Sequence, residues 1–416
     1  PSSHASAVVR HDLHADFVSY AHACLLSPPI HTMQHALKKG YLDGFPRLTH
    51  DMFIKNLPHS VATAKGHLDL NRKNQRSTRL PTPIPPLDDD NDDDPLFTNA
   101  NVLCLTVQLR DQDTNYSDLP GRFPIESFLG NNYILLSFLG GHVHTEPLPD
   151  RTSASLIKAY RATFAYYRQF NHKPTFHRMD NETSASLRLF FQLEADVTVQ
   201  LVPPNNKRTN KAERIIRAWK NHFISGLHTA DPRFPLQCWD DTLPQVDITY
   251  NLLHPWTSNP ALSAYEGFHG RKYDFNANPI APIGTHVVVY NTPDHRSSWG
   301  AHGEDGFYLG PALDHYRCYH IFINSTRRVR VSDTLAWFPA LLHMPGSNPV
   351  DLISAALTDL NNALQLYCTN PSRDTSGTPI ALDETITAGL REASNRFSDI
   401  RLPARLTPSS ATDQSI

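Results

Sequence analysis

The fold of this chain is decided by residues 175–227, which read TFHRMDNETSASLRLFFQLEADVTVQLVPPNNKRTNKAERIIRAWKNHFISGL. A short β-prone run over 175–179 leads into a helical run over 185–193. An apolar run over 197–202 ends at two prolines, and residues 210–227 have the spacing of an amphipathic helix. Alternation of strands and helices is typical of a sheet that is flanked by helices. The stretch therefore predicts an α/β domain.

The residues before this stretch extend the same pattern. Apolar, β-prone runs over 102–109 and 133–139 and a third run over 142–148 predict three strands. Residues 153–170 follow with helical spacing. We therefore expect an α/β core over 101–255, with a mixed central sheet flanked by helices.

The segments around this core differ from it in composition. Residues 1–79 are rich in histidine and predict a helical segment, and the proline and aspartate residues of 80–100 predict a linker. Short strands between glycine and proline turns predict a small β-barrel-like module over 281–340, after a connector over 256–280. Residues 341–416 predict a helix over 352–367 and a disordered tail.

Charge and cysteine content limit the classes of function. The net charge of −3 includes six aspartates in the run DDDNDDD at 88–94, so the rest of the chain is slightly basic. Five scattered cysteines favour a reducing, intracellular compartment over a disulfide framework. No apolar stretch is long enough to cross a bilayer, so we expect no membrane partner. The chain starts at Pro1, and we interpret it as a fragment of a longer product.

Three acidic residues are candidates for catalysis. Asp118 lies in SDLPGRFP before a glycine turn, Asp180 ends the short strand in HRMDNET, and Glu213 lies on the last helix of the stretch. Acids at the ends of two central strands and on an adjacent helix can converge. Three carboxylates can hold two Mg²⁺ ions about 4 Å apart, which activate the attacking oxygen and stabilise the leaving oxygen in phosphoryl transfer.

The helix of residues 210–227 supports this hypothesis. Its apolar stripe is Ala212, Ile215, Ile216, Trp219 and Phe223. Glu213, Arg217 and Lys220 share a face about 100° from that stripe. An acid among cations is expected to stay ionised, as a metal ligand must, and the cations suit a phosphate backbone. Taken singly, a basic amphipathic helix is more often a solvated face, and an Asp-Asn-Glu sequence is more often a turn or a helix cap.

Several stretches over about 20–338 together resemble the integrase of copia-type LTR retrotransposons, a member of the RNase H-like polynucleotidyl transferases. The stretches that carry the resemblance include SDLPGRFP (117–124), GNNYILL (130–136), MDNETS (179–184), VQLVPPNNKRTNKAERIIRAWKNHF (199–223) and PIAPIGTHVVVY (279–290). The resemblance implies an RNase H-like core in which Asp118, Asp180 and Glu213 are the catalytic, metal-binding triad for two Mg²⁺ or Mn²⁺ ions.

The resemblance also implies an activity and partners. The reaction is 3′-end processing and strand transfer, which joins element DNA to host DNA, carried out by a homo-multimer in a virus-like particle and in the nucleus. The DNA-binding residues that it implies are Lys207, Arg208, Asn210, Lys211, Arg214, Arg217 and Lys220. The β-rich module of 281–340 would help to bind DNA.

The chain departs from the family pattern in two places. Such integrases carry an amino-terminal His-His-Cys-Cys zinc module, but residues 1–100 contain one cysteine, Cys24. His22, His31, His59 and His67 are alternative zinc ligands, but the missing ligand spacing favours a segment without zinc. Gly140 and Gly141 stand where the family tends to have an acid. Two alternatives therefore stay open: a decayed or host-adopted protein of the same fold that only binds nucleic acid, and a structure-specific nuclease.

Overall fold

A computed structural model describes residues 14–68, 113–179, 184–201 and 211–339. The predicted linker of 80–100, the predicted strand of 102–109 and the predicted helix of 352–367 lie outside these ranges. The division of the chain into domains stays a prediction.

The first sheet has five strands: β1 (Thr114–Asp118), β2 (Tyr133–Leu139), β3 (His142–Leu148), β4 (Phe176–Met179) and β5 (Thr198–Leu201). Their order across the sheet is β3-β2-β1-β4-β5. The hairpins of β1, β2 and β3 are antiparallel, whereas β1, β4 and β5 run parallel. Helices connect the parallel strands, as such crossovers require. The predicted α/β fold with a mixed central sheet is confirmed.

Five helices accompany this sheet, and serine or threonine side chains cap three of them. The helices are α5 (Ser153–Gln169), α6 (Ala185–Phe190), α7 (Lys211–Leu227), α8 (Leu243–Leu253) and α9 (Ala264–His269). Thr152 accepts a hydrogen bond from the Ser155 amide at the start of α5, and Ser184 accepts one from Leu187 at the start of α6. Each cap satisfies an amide that the helix itself leaves without a partner.

Two local predictions differ from the structure. Residues 114–118 form a strand, β1, that the hydropathy pattern did not indicate, and Asp118 is its last residue. The helix predicted for 185–193 is α-helical only to Phe190; a π turn follows over Phe191–Ala195 and ends at Asp196, whose φ is 57°. The backbone turns at this left-handed residue toward β5.

Gly140 and Gly141 form the two-residue turn between β2 and β3. Their φ angles are 59° and 115°, in the region where glycine is preferred. A Cβ atom on Gly140 would lie 2.5 Å from the Trp256 ring. The turn and the packing of Trp256 therefore explain why glycine occupies both positions.

Four amino-terminal helices and a second sheet complete the described fold. The helices are α1 (His14–Cys24), α2 (Ile30–Lys38), α3 (His50–Lys55) and α4 (Val61–His67). The second sheet is antiparallel, in the order β10-β6-β7-β8-β9, and consists of β6 (His286–Tyr290), β7 (Gly303–Pro311), β8 (Tyr319–Ile323), β9 (Arg328–Ser332) and β10 (Leu335–Trp337). The β-rich character predicted for this part of the chain is confirmed.

One apolar core joins the amino-terminal helices to the second sheet. Phe17, Phe45 and Phe53 of the helical segment are buried together with Val287 and Ile321 of the sheet. Burial of such side chains contributes about 1.5–3 kcal/mol each. Among the described helices, none combines the length and the apolar content needed to cross a membrane.

Candidate active site at the carboxyl end of strand β1

Asp118 ends β1 at the mouth of a cleft of about 340 Å³. The side chain is half-buried, and one of its carboxylate oxygens accepts a hydrogen bond from the Leu119 amide at 2.7 Å. Met179, the last residue of β4, lines the same cleft. The cleft thus lies at the edge of the sheet where the parallel strands β1 and β4 both end.

A buried polar network lies directly below Asp118. His177 of β4 is hydrogen-bonded through Nδ1 to the Asn115 amide nitrogen at 2.9 Å and through Nε2 to the Ser117 hydroxyl at 3.0 Å. Ser117 in turn shares a 2.7 Å hydrogen bond with the Tyr160 hydroxyl. Burial lowers the pKa of His177 to about 3, so the ring is neutral, and an amide that donates to Nδ1 places the proton on Nε2. The network fixes the end of β1 without a buried charge.

Two arginines line the cleft beside Asp118, and the sequence analysis did not single them out. Arg122 follows four residues after Asp118 in SDLPGRFP, and Arg151 precedes the cap of α5. Both side chains are exposed, and Arg122 donates to the Asn132 side chain at 3.0 Å. An Asp-x-x-x-Arg spacing across a glycine turn was the available signal for Arg122. Arginine guanidinium groups match the geometry of phosphate oxygens.

Helix α7 packs beside this end of the sheet. Lys220 donates from Nζ to the main-chain carbonyl of Pro120 at 3.2 Å, two residues beyond Asp118. Trp219, the next residue back, is buried and donates from its indole nitrogen to Asp247 at 3.0 Å. The Lys220 face of α7 is therefore turned toward the loop that follows β1.

Asp247 of α8 connects α7 to the free edge of β3. One of its oxygens accepts from the Trp219 indole, and the other accepts from the Thr145 amide at 2.8 Å and the Thr145 hydroxyl at 2.9 Å. Asn251, one helical turn later, bonds both the amide and the carbonyl of Val143. Burial raises the pKa of Asp247 to about 6, against the opposing effects of the nearby His144 and these donors. Polar side chains of α8 thus take the place of a neighbouring strand.

The predicted site residues are described to different extents. Asp180, Lys207, Arg208 and Asn210 lie outside the described ranges, and Lys211 and Glu213 lie in α7 without described side chains. Arg214, Arg217 and Lys220 are exposed on α7. The triad and the full DNA-binding set therefore stay predictions. The apolar stripe of α7 is confirmed at Trp219 and Phe223, which are both buried.

Cys24 and His22 of the amino-terminal segment are both buried. Burial raises the pKa of the Cys24 thiol, so the metal-free side chain is a neutral thiol. His22 is hydrogen-bonded to the Pro28 carbonyl at 2.8 Å. Within the described ranges, no group of three or more histidine, cysteine, aspartate or glutamate side chains is placed to hold a metal. The side chains of Asp180 and Glu213 are not among the described residues, so this statement does not cover them.

Comparison with known proteins gives weak likeness only. No protein-family profile matches the chain. No curated protein sequence matches it either. Among solved structures, the cryo-electron microscopy structure of the simian T-cell lymphotropic virus intasome in complex with the PP2A regulatory subunit B56 gamma aligns with a TM-score of 0.30 and 13% sequence identity, over 57% of this chain and 80% of that chain. A likeness this weak establishes neither a shared fold nor a shared activity.

Proposed function

We propose that this chain is a polynucleotidyl transferase of the integrase type, which cuts DNA ends and joins them to target DNA with divalent metal ions. The RNase H-like core that the sequence resemblance implies has Asp118, Asp180 and Glu213 as its acids. The observation that carries the proposal is the parallel pairing of β1 and β4, which ends at the Asp118 cleft.

The pairing of β1 with β4 favours a meeting of Asp118 and Asp180. Tyr116 is paired with Arg178 in parallel register. Asp118 is two residues beyond Tyr116, so it lies at the end of the sheet toward which the chain continues after Arg178. Asp180 follows Met179 directly in the sequence, and consecutive Cα atoms are about 3.8 Å apart. Carboxyl ends of adjacent parallel strands are where α/β sheets bind their ligands.

The orientation of α7 favours Glu213 as the third acid. Positions 213 and 220 are seven residues apart, so they differ by only about 20° around the helix axis. Lys220 contacts the carbonyl of Pro120 beside Asp118, which turns this stripe of α7 toward the end of β1. Glu213 lies on that stripe about two helical turns before Lys220.

The donor chemistry suits magnesium or manganese. Three carboxylates are the hard oxygen ligands that these ions prefer, and the ions would activate the attacking oxygen and stabilise the leaving one. Arg122 and Arg151 line the same cleft, and their guanidinium groups can hold the phosphates that flank the scissile bond. The Asn115, Ser117 and His177 network keeps the end of β1 in a fixed position while substrate binds.

The test measures cutting and joining of a short labelled DNA duplex by the purified full chain with Mg²⁺ or Mn²⁺. We expect Asp118→Asn and Asp180→Asn each to reduce both activities by at least about 100-fold, because each removes a charged metal ligand. Asp196→Asn is the matched control: it makes the same change at an exposed residue before β5, at the opposite edge of the sheet. Asparagine tolerates the left-handed conformation of Asp196. We expect this variant to keep wild-type activity.

Each other outcome has a defined meaning. Wild-type activity in the Asp180→Asn variant contradicts the proposed triad. Cutting without joined product selects the structure-specific nuclease. DNA binding with neither cutting nor joining, in wild type as in Asp118→Asn, selects the decayed or host-adopted binding protein.

A further inference from the structure

A cavity of about 720 Å³, which we call the α7 cavity, lies between α7, the loop that joins β1 to β2, and residues 230–236. Ile134 of β2 and Trp219 and Phe223 of α7 line it, and all three are buried. Sites that bind small molecules have volumes of about 300–1,000 Å³. The α7 cavity is therefore large enough for a small-molecule ligand.

The walls of the α7 cavity are mainly apolar. Ile224 and Leu227 of α7 and Leu236 of the segment after it also line the cavity, and each is partly exposed to solvent. An apolar group that enters between such walls is removed from water, whereas a phosphate backbone would lose hydrogen bonds to water there. The walls therefore suit a ligand with an apolar body instead of a polyanion.

One wall, the loop between β1 and β2, is held in place by contacts within the chain. The Phe123 ring stacks on the Trp239 ring with a centroid distance of 4.5 Å, and the Phe123 amide donates to the Asn132 carbonyl at 2.7 Å. The Trp239 indole donates to the Ile125 carbonyl at 2.9 Å. This wall is therefore formed before a ligand binds, which reduces the ordering cost of binding.

The opposite wall is fixed against the segment that leads into the second sheet. The Asp231 amide donates to the Gly284 carbonyl at 3.1 Å. A Cβ atom on Gly284 would overlap the Ala230 Cβ atom and would lie 2.9 Å from Cγ of Phe234. The two segments therefore approach as closely as glycine allows, and both walls of the cavity are preformed.

The charged residues of the lining are mostly cations. Lys65 of α4, Arg122 and Lys220 line the cavity, and all three are exposed. The one acid in the described lining is Asp231, whose carboxylate accepts two hydrogen bonds at 3.1 Å from the Arg233 guanidinium. Burial opposes ionisation of Asp231, but the bonds from Arg233 lower its pKa below the ordinary value. The acid is therefore already neutralised, and the lining favours an anion.

Lys65 differs from the other two cations. Lys220 donates to the main-chain carbonyl of Pro120, and Arg122 donates to the Asn132 side chain. Lys65 has no hydrogen bond or ion pair with another described residue. Burial and the nearby Lys65 charge lower the pKa of His228, which also lines the cavity and is neutral near pH 7. The Lys65 ammonium is thus available to an anionic group of a ligand.

We propose that the α7 cavity binds a long-chain carboxylate, with its apolar chain between the two walls and its carboxylate at Lys65. Complementarity decides this occupant: the chain matches the apolar lining, and one carboxylate matches one available ammonium. The cavity shares Arg122 with the Asp118 cleft, but Lys65 and Leu236 do not line that cleft. The inference therefore goes beyond the proposed function and does not depend on it.

The test is a calorimetric titration of the full chain with decanoate, at concentrations where decanoate forms no micelles. Leu236→Asp places a second carboxylate on the apolar wall, and we expect it to weaken decanoate binding at least about tenfold. Leu129→Asp is the matched control, because Leu129 is an exposed leucine outside the lining. We expect this control to keep the wild-type affinity.

A second pair of variants tests the charge. Lys65→Met keeps an apolar stem and removes the ammonium, so we expect decanoate binding to weaken about threefold and decanol binding to stay unchanged. Lys55→Met is the matched control at an exposed lysine of α3 that does not line the cavity. We expect it to leave the affinities for both ligands unchanged.

The contrary outcomes are defined in the same experiments. Wild-type protein that does not bind decanoate at concentrations up to about 1 mM overturns the proposal. Equal affinities of Leu236→Asp and Leu129→Asp for decanoate overturn it as well, because the ligand then lies elsewhere. Equal losses of decanoate and decanol affinity in Lys65→Met refute the contact between the carboxylate and Lys65. None of these results depends on whether the chain cuts or joins DNA.

Discussion

Replacing Trp219 by phenylalanine tests whether an ionised carboxylate of α8 holds α7 against the sheet. The substitution keeps a buried aromatic ring and removes the indole N–H that donates to Asp247 at 3.0 Å. Thr145 bonds only the other oxygen of that carboxylate, so the first oxygen loses its described donor. A hydrogen bond to a charged group contributes about 1.5–3 kcal/mol to stability, against about 0.5–1.5 kcal/mol for a neutral one.

Trp239→Phe provides the control for ring size. Trp239 is also fully buried, and its indole donates at 2.9 Å to the main-chain carbonyl of Ile125, which is neutral. Both variants lose the same part of a ring. We therefore expect Trp219→Phe to lower the free energy of unfolding at pH 8 by about 1 kcal/mol more than Trp239→Phe does.

The pH dependence of this difference identifies its cause. Burial raises the pKa of Asp247 to about 6, above its ordinary value of 3.8. As pH falls, the folded state therefore binds a proton at this carboxylate before the unfolded state does. This group consequently favours folding more as pH falls from 6 to 3.8. Loss of the indole donor destabilises the carboxylate form of Asp247 and raises its pKa further. Trp219→Phe therefore lowers the free energy of unfolding most at pH 8, where Asp247 is ionised, and least at pH 5.

The assay is urea unfolding followed by far-ultraviolet circular dichroism at pH 8 and pH 5. The extra cost of Trp219→Phe over Trp239→Phe should shrink at pH 5, whereas the cost of Trp239→Phe should stay constant. Equal costs of the two variants at both pH values would refute a charged anchor at Asp247.

Two further changes have expected outcomes. Burial lowers the pKa of His177 to about 3, so the unfolded state is protonated first and the free energy of unfolding falls as pH drops below 6.5. In urea unfolding, His177→Gln should remove about 2 kcal/mol of the stability that wild type loses between pH 7.5 and pH 5. An unchanged pH profile would contradict a neutral buried ring. Gly66→Ala should lower the free energy of unfolding by about 1–3 kcal/mol, because the added Cβ atom overlaps α7. The helix propensity of alanine alone would raise it by up to about 1 kcal/mol, and that result would show that α4 is not packed as described.

Local sequence patterns predicted the helices and strands whose buried face consists of regularly spaced apolar residues. The stripe of Trp219 and Phe223 placed α7 correctly, and the apolar run of 133–139 matches β2. Strand β1 was missed because its sequence TNYSD is polar. Asn115 and Ser117 are buried there with hydrogen-bond partners from distant parts of the chain, which are His177, Tyr160 and Tyr167. A pattern based on hydropathy cannot show a strand whose inward-facing residues are satisfied by tertiary contacts.

The candidate site likewise combines a residue that local sequence indicates with one that only the fold brings to it. Asp118 was proposed as a site residue from its position before a glycine turn. Arg151 is 33 residues away in sequence, and only the packing of α5 on the sheet brings it to the same cleft. Sequence spacing fixes which residues share a helix face, and tertiary contacts decide what that face meets.

The two buried polar networks support a functional interpretation of this end of the sheet. Buried polar groups cost free energy unless every one finds a partner, and an apolar core of the same shape is at least as stable. Here one network fixes the end of β1 through His177, and the other fixes α7 through Asp247. These are the two described elements that carry Asp118 and Glu213. Directional hydrogen bonds hold orientation more strictly than apolar packing does, so they are most useful where carboxylates must be positioned for chemistry.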